Sequence, residues 1–128
     1  MPNPPQKPVH AWKWFDPRGR EPGSWAFILN RLSALGLTFY LYLHLFTLRK
    51  LAQGPESFDS FVDTAKSPLI IIGELLVIFG ALYHGLNGLR IALTSFGIAV
   101  PYQRQLFYGI FLITIISSVI FAIRMFTV

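Results

Sequence analysis

The residues with chemistry to offer in this sequence are few, and most of them sit in oily surroundings. Positions 84–90 read HGLNGLR, so that a His, an Asn and an Arg are framed by Gly85 and Gly88. They follow IIIGELLVIFGALYH, a run of fifteen residues ending on His84 that is otherwise nearly all apolar. A membrane tolerates such groups only where something satisfies them, which makes this stretch the main pointer to function. A second set lies earlier, with Asn30, Arg31 and Ser33 in NRLS and His44 in YLHLF. A buried imidazole can serve as an axial ligand to haem iron or make a hydrogen bond across a helix interface.

Residues three, four and seven apart share a helical face. On that spacing Gly73, Val77, Gly80, His84, Gly88, Ile91 and Ser95 form one stripe. Gly80 and Gly88, a turn to either side of His84, leave a flat surface that suits a porphyrin edge. The same small residues also let two helices approach closely, with His84 donating one hydrogen bond between them. The residues alone leave both alternatives open. His44 shares its face with Asn30, Ser33, Leu37 and Tyr40, and an interhelical hydrogen bond is the plainer expectation for it. Arg31 and Arg90 each cost up to about 3 kcal/mol at mid-membrane and less near the interface. They either snorkel to lipid phosphates or face haem propionates or a quinone oxygen. Glu74 either pairs with Lys66 or relays protons, and His10 in the polar tail is expected to be solvated.

The elements that must position these groups follow from composition. Of 128 residues, 53% are hydrophobic and only 13% charged, which is too apolar for a soluble domain of this size. Crossing the hydrocarbon takes about 20 apolar residues, and the pattern predicts helices over 25–48, 69–96 and 104–127, arranged up-down-up. Little remains for a soluble domain, so chemistry outside the membrane falls to partner subunits. The segment 49–68 forms an outer connection, in which Phe58, Phe61, Val62 and Ala65 have the spacing of a short amphipathic helix after the Gly54-Pro55 turn. Pro68 suits the first turn of the second span, and Gly97 and Pro101 end it. The third span offers only Ser117 and Ser118 as central polar groups, each expected to bond to its own helix backbone, and it reads as scaffold. No internal repeat is visible.

Residues 1–24 are rich in Pro and charge, carry no apolar core of the kind a secretory signal needs, and read as an extended arm draped on a neighbouring protein. The net charge of +5 does not point to nucleic acid, because the basic residues sit at the ends of apolar spans. Lys7, Lys13, Arg18, Arg20, Arg31, Arg90 and Arg104 fall toward one side, and Arg49, Lys50, Lys66 and Arg124 toward the other. That imbalance, with Trp12, Trp14 and Trp25 as an interfacial belt, favours a cytoplasmic N-terminus and a C-terminus on the outer side of the cell (inner) membrane. The sequence has no Cys, which excludes haem attached through C-x-x-C-H, an iron-sulfur cluster or a disulfide carried by this chain.

Depth along the spans separates the two imidazoles. His44 lies thirteen residues past Arg31, about 20 Å deeper, and His84 lies six residues, about 9 Å, deeper than Arg90. With the arginines level, the two His differ in depth by about 10 Å. Two axial nitrogens on one iron lie only about 4 Å apart, so these two are poorly placed to share a metal.

WAFILNRLSALGLTFYLYLHL and LYHGLNGLRIAL resemble the cytochrome b556 membrane anchor subunit of succinate dehydrogenase (succinate:quinone oxidoreductase), over all three spans. That family bears H-R-x-S/T-G near the start of its first helix and H-x-x-x-G-I/L-R in its second. Here these are Asn30-Arg31-Leu32-Ser33-Ala34 and the more specific match His84 to Arg90. The resemblance implies that His84 is an axial ligand of a b-type haem and that Arg31 serves a quinone or a haem propionate. Two-haem members, which often use menaquinone, carry an additional His late in the first helix, where His44 stands. The implied cofactors are two haems b, each shared with a second anchor subunit, and a quinone. The implied partners are a flavoprotein that oxidises succinate, an iron-sulfur subunit and that second anchor. A trimer of complexes and the direction of the reaction stay open.

Three departures concern the quinone contacts more than the haem. The family His before the Arg is Asn30, and a Ser that holds the quinone in some relatives is Phe27, with Ser24 one turn earlier as a substitute. The Asp that often follows the second motif is Ser95. The expected fold is therefore all-α, an integral membrane protein of three helices packed with a second anchor. Its alternative in function is a haem-free structural anchor of a respiratory complex. A small transporter would show inverted repeats and broken helices, which are absent here.

Overall fold

The computed structural model describes Ala11, Arg18 and residues 21–127. The expectations for His10, Trp12, Trp14 and the arm up to residue 20 lie outside the described residues, Ala11 and Arg18 apart. From residue 21 the order is α1 (Pro22–Ala52), α2 (Pro55–Ala65), α3 (Pro68–Ser95), a 3-10 turn (Val100–Tyr102) and α4 (Gln103–Thr127). α1, α3 and α4 are long and apolar enough to cross a membrane.

Local chemistry explains where these helices start and stop. α1, α2 and α3 each open on a proline in the first turn, where its missing N–H leaves no bond unmade. Arg49 and Lys50 lie in the last turn of α1, favourable against the negative end of the helix dipole. α3 ends in a Schellman motif: the Ile98 N–H donates to Leu93 O at 3.0 Å and the Gly97 N–H to Thr94 O at 3.0 Å. The motif needs a left-handed residue at Gly97, whose φ is 78°. On α2, Phe58, Phe61, Val62 and Ala65 are partly covered, while Glu56, Asp59 and Asp63 are exposed. The segment between the first two spans is thus an amphipathic helix.

α3 is the central element, and its neighbours pack antiparallel to it. Tyr83 is completely buried with Ala26 of α1 and Phe107 of α4, and its hydroxyl donates to Ala26 O at 2.9 Å. Phe79 meets Phe111 edge-on at 6.3 Å, which continues the α3–α4 contact. Gly80 is buried against α1, where a Cβ would sit 3.9 Å from Ser33 Cβ and 4.0 Å from Leu37. Beyond that contact α1 and α3 leave an apolar groove of about 480 Å³, running from Ser33 and Gly80 to Leu43 and Gly73. Most large apolar side chains, such as Phe39, Leu69 and Leu76, point outward. In water that surface would drive aggregation; in hydrocarbon it is at home, because helices satisfy their own backbone polar groups.

One polar expectation for α4 needs correction. Thr114 bonds back to Ile110 O at 2.9 Å, but the buried Ser118 Oγ makes no hydrogen bond among the described residues. A serine hydroxyl reaches its helix carbonyl only in some rotamers, and Ser118 does not adopt one of them here.

Candidate functional site

The polar groups singled out in the first two spans converge where α1 crosses α3. His84 Nδ1 lies 3.3 Å from Ser33 Oγ and 3.3 Å from the Asn30 carbonyl oxygen. The Ser33 hydroxyl has one proton, and it is donated to that same carbonyl at 2.9 Å. Ser33 Oγ therefore meets the imidazole as an acceptor, as does the carbonyl. With two acceptors before it, Nδ1 of the neutral ring carries the hydrogen, which leaves the lone pair on Nε2. No hydrogen bond occupies Nε2 among the described residues.

Asn87, the Asn of HGLNGLR, extends the contact, although no site role was expected for it. It is completely buried. Its Oδ1 accepts from Arg90 Nε at 3.0 Å, and its Nδ2 donates to Asn30 Oδ1 at 3.1 Å. Because Arg90 Nε can only donate, the orientation of the Asn87 amide follows, and with it that of Asn30. Ser33, His84, Asn30, Asn87 and Arg90 thus form one continuous chain of hydrogen bonds between two helices. The only signal in the sequence was a carboxamide three residues from both His84 and Arg90.

The remaining candidates are distributed around this centre. Arg90 lines a recess of about 260 Å³ with Glu21 and Gly23 at the start of α1 and Arg104 and Phe107 at the start of α4. Arg31 lies on another face of α1, its guanidinium 4.2 Å from the centroid of the Phe27 ring, on the stripe that includes Ser24. The structure does not bring Arg31 into the Arg90 recess. Gly80 and Gly88 also part company. Gly80 serves the α1–α3 contact, whereas Gly88 is exposed with nothing within 4 Å of where its Cβ would be.

His44 is exposed and stacks on Tyr40, with ring centroids 5.6 Å apart. Its ring makes no hydrogen bond to another helix among the described residues, although it shares a helical phase with Ser33 and Leu37. Because Ser33 touches His84, and His44 lies eleven residues further along, the two imidazoles are separated by about 16 Å along the axis. The smaller expectation assumed level arginines. Asn30 instead meets Asn87, so Arg31 stands a turn deeper than Arg90. Glu74 does not pair with Lys66, which bonds to Asp63 at 3.2 Å. Among the described residues the imidazoles are those of His44 and His84, one at each level, and no cluster of three metal-ligating side chains occurs.

Fold and site together define a three-span helical membrane protein with one partly buried imidazole held in a polar interhelical contact. Residues 11–121 match the model of the succinate dehydrogenase/fumarate reductase transmembrane subunit, and the chain belongs to that family. It is 28% identical to the succinate dehydrogenase 2 membrane subunit SdhC of Mycobacterium tuberculosis over 102 residues, 77% of this chain and 75% of the relative. It is 27% identical to the succinate dehydrogenase hydrophobic membrane anchor subunit of Halobacterium salinarum over 93 residues, 72% of each chain.

Proposed function

We propose that this membrane anchor binds haem b and quinone, and that it carries electrons from succinate, delivered by an iron-sulfur partner, toward quinone. The observation that carries the proposal is the imidazole of His84, whose Nδ1–H is held by Asn30 O and Ser33 Oγ while Nε2 keeps its lone pair. Metal-ligating histidines almost always donate their other N–H in this way, and a backbone carbonyl is a common acceptor. The residues present therefore fit a haem ligand. The exposed face at Gly88 offers room beside the ring. His44, exposed and about 16 Å away along the axis, is the ligand assigned to a second haem.

His84 and His44 would each hold a haem from this chain, and a partner anchor subunit would complete the binding at each level. Haem bound there would supply one-electron transfer. The chain's own residues bind and orient. Asn30 and Ser33 set the His84 tautomer, and Arg90 supplies positive charge at the end of the bundle where α1 begins. Arg31, flanked by Phe27 and Ser24, is the quinone contact, and menaquinone is the quinone assigned. The further partners are a flavoprotein that oxidises succinate, the second anchor and the lipid of the cell membrane, with the start of α1 at the cytoplasmic face.

A haem-free structural anchor is the second reading, and the packing of Gly80 against Ser33 and Leu37 favours it. Counting haem on the purified complex separates the two. Pyridine haemochrome and flavin quantitation should give two haems b per flavin, with one lost in His84→Leu and one in His44→Leu. One haem retained through His44→Leu would remove His44 from the ligand set. None in the parent complex would leave HGLNGLR as a packing motif.

A further inference from the structure

We infer that Asn87 is a positioning residue, clamping Asn30 to Arg90 and so holding the carbonyl that orients His84; this rests on the proposal that His84 holds haem. In the succinate dehydrogenase anchors that the sequence resembles, a His stands where this chain has Asn30, and position 87 is one of the unspecified places in H-x-x-x-G-I/L-R. Here the two amides meet. Asn87 Nδ2 donates to Asn30 Oδ1 at 3.1 Å, and Asn87 Oδ1 accepts from Arg90 Nε at 3.0 Å.

Three observations make the pair a device rather than incidental packing. Asn87 has no exposed surface, so both of its bonds lie away from solvent, where a lost partner is costly to replace. The amide bridges two elements: Asn30 is fifty-seven residues away on α1, while Arg90 is one turn along α3. The residue it holds is also the one whose carbonyl accepts from His84 Nδ1 and from Ser33 Oγ. Asn87 makes no hydrogen bond to the imidazole among the described residues. It acts through Asn30 on the rotation of the His84 ring and through Arg90 on the placement of a positive charge.

The amide pair also accounts for the departure at Asn30. An Asn in place of His loses a titratable group, and its side chain would be left searching for partners at the crossing of two helices. Asn87 supplies one.

The test uses the assembled complex with Asn87→Leu, Asn87→Ser and Asn87→Asp, read by haem per flavin and by the largest g value of each low-spin ferric haem. That g value follows imidazole orientation, and a purely structural contribution to stability would not move it. Leu and Ser remove both bonds, and each should shift the g value of the His84 haem while the His44 haem, at a distance, stays as in the parent. Asp should restore the parental g value, because its carboxylate accepts from Arg90 Nε and from the Asn30 amide turned over. Where Asn87→Leu fails to assemble, the smaller Asn87→Ser is decisive. Parental g values in the Leu or Ser variant with haem retained, or a shift equally large in Asn87→Asp, would overturn the inference and leave the haem proposal standing. Full haem retained in His84→Leu would instead overturn the haem proposal and the inference with it.

Discussion

At the scale of single residues, the site is decided by who donates to whom. The Ser33 hydroxyl spends its proton on Asn30 O, which forces the imidazole of His84 into one tautomer. Arg31 is engaged differently, over the Phe27 ring and away from the recess of Arg90. On the proposal that Arg31 contacts the quinone, its loss should be felt in quinone reduction. Arg31→Leu is expected to raise the quinone KM about tenfold or more, the equivalent of a lost charge-assisted hydrogen bond, with haem per flavin unchanged. Steady-state quinone reduction beside a haem assay checks this, and parallel loss of haem would assign Arg31 to the haem. Arg31, His84 and Arg90 were legible as candidates because charge and imidazole stand out in apolar sequence. Asn87 stood out with them in HGLNGLR, but its role did not, because that role depends on Asn30, a residue far away in the chain.

At the scale of elements, the helices end where backbone conformation compels them to. Gly97 at φ 78° closes α3, and the bonds from Ile98 to Leu93 and from Gly97 to Thr94 satisfy carbonyls that would otherwise be orphaned. Gly97→Val should cost about 1–2 kcal/mol, because an L-residue in the left-handed region brings Cβ against the following carbonyl. Thermal denaturation of the purified complex measures this, and an unchanged midpoint would show that the turn re-forms in another conformation. The limits of α3 were readable from Pro68, Gly97 and Pro101, since turn chemistry is local. Which glycine serves the helix contact was not readable. Gly80 and Gly88 occupy equivalent places around His84 in sequence, yet the crossing of α1 buries one and leaves the other open.

At the scale of the whole molecule, three long helices expose their apolar surface and, among the described residues, bury only Ala26, Ile28, Tyr83 and Phe107 of the hydrophobic ones. Such a bundle draws its stability from the bilayer and from helix contacts rather than from a large core. Its proposed orientation can be measured directly, because the sequence contains no Cys and a single one can be introduced. Gln53 and Glu21 are both exposed, at opposite ends of α1. In intact cells Gln53→Cys should react with a membrane-impermeant maleimide, and Glu21→Cys only after permeabilisation. The reverse pattern would invert the orientation and place His84 toward the outer face.

The all-α, three-span architecture was present in the linear sequence, as were the short amphipathic helix and the candidate ligands. Each depends on hydropathy, helical phase or turn chemistry among near neighbours, and these are properties of a local stretch. The axial offset of α1 against α3 was not present, and with it went the true spacing of His44 and His84, the tautomer of His84 and the clamp at Asn87. Those depend on how far one helix slides and rotates on another. That offset accompanies the packing of Tyr83 with Ala26 and Phe107 and the close approach at Gly80, contacts between residues distant in the chain that exist only once the helices have come together.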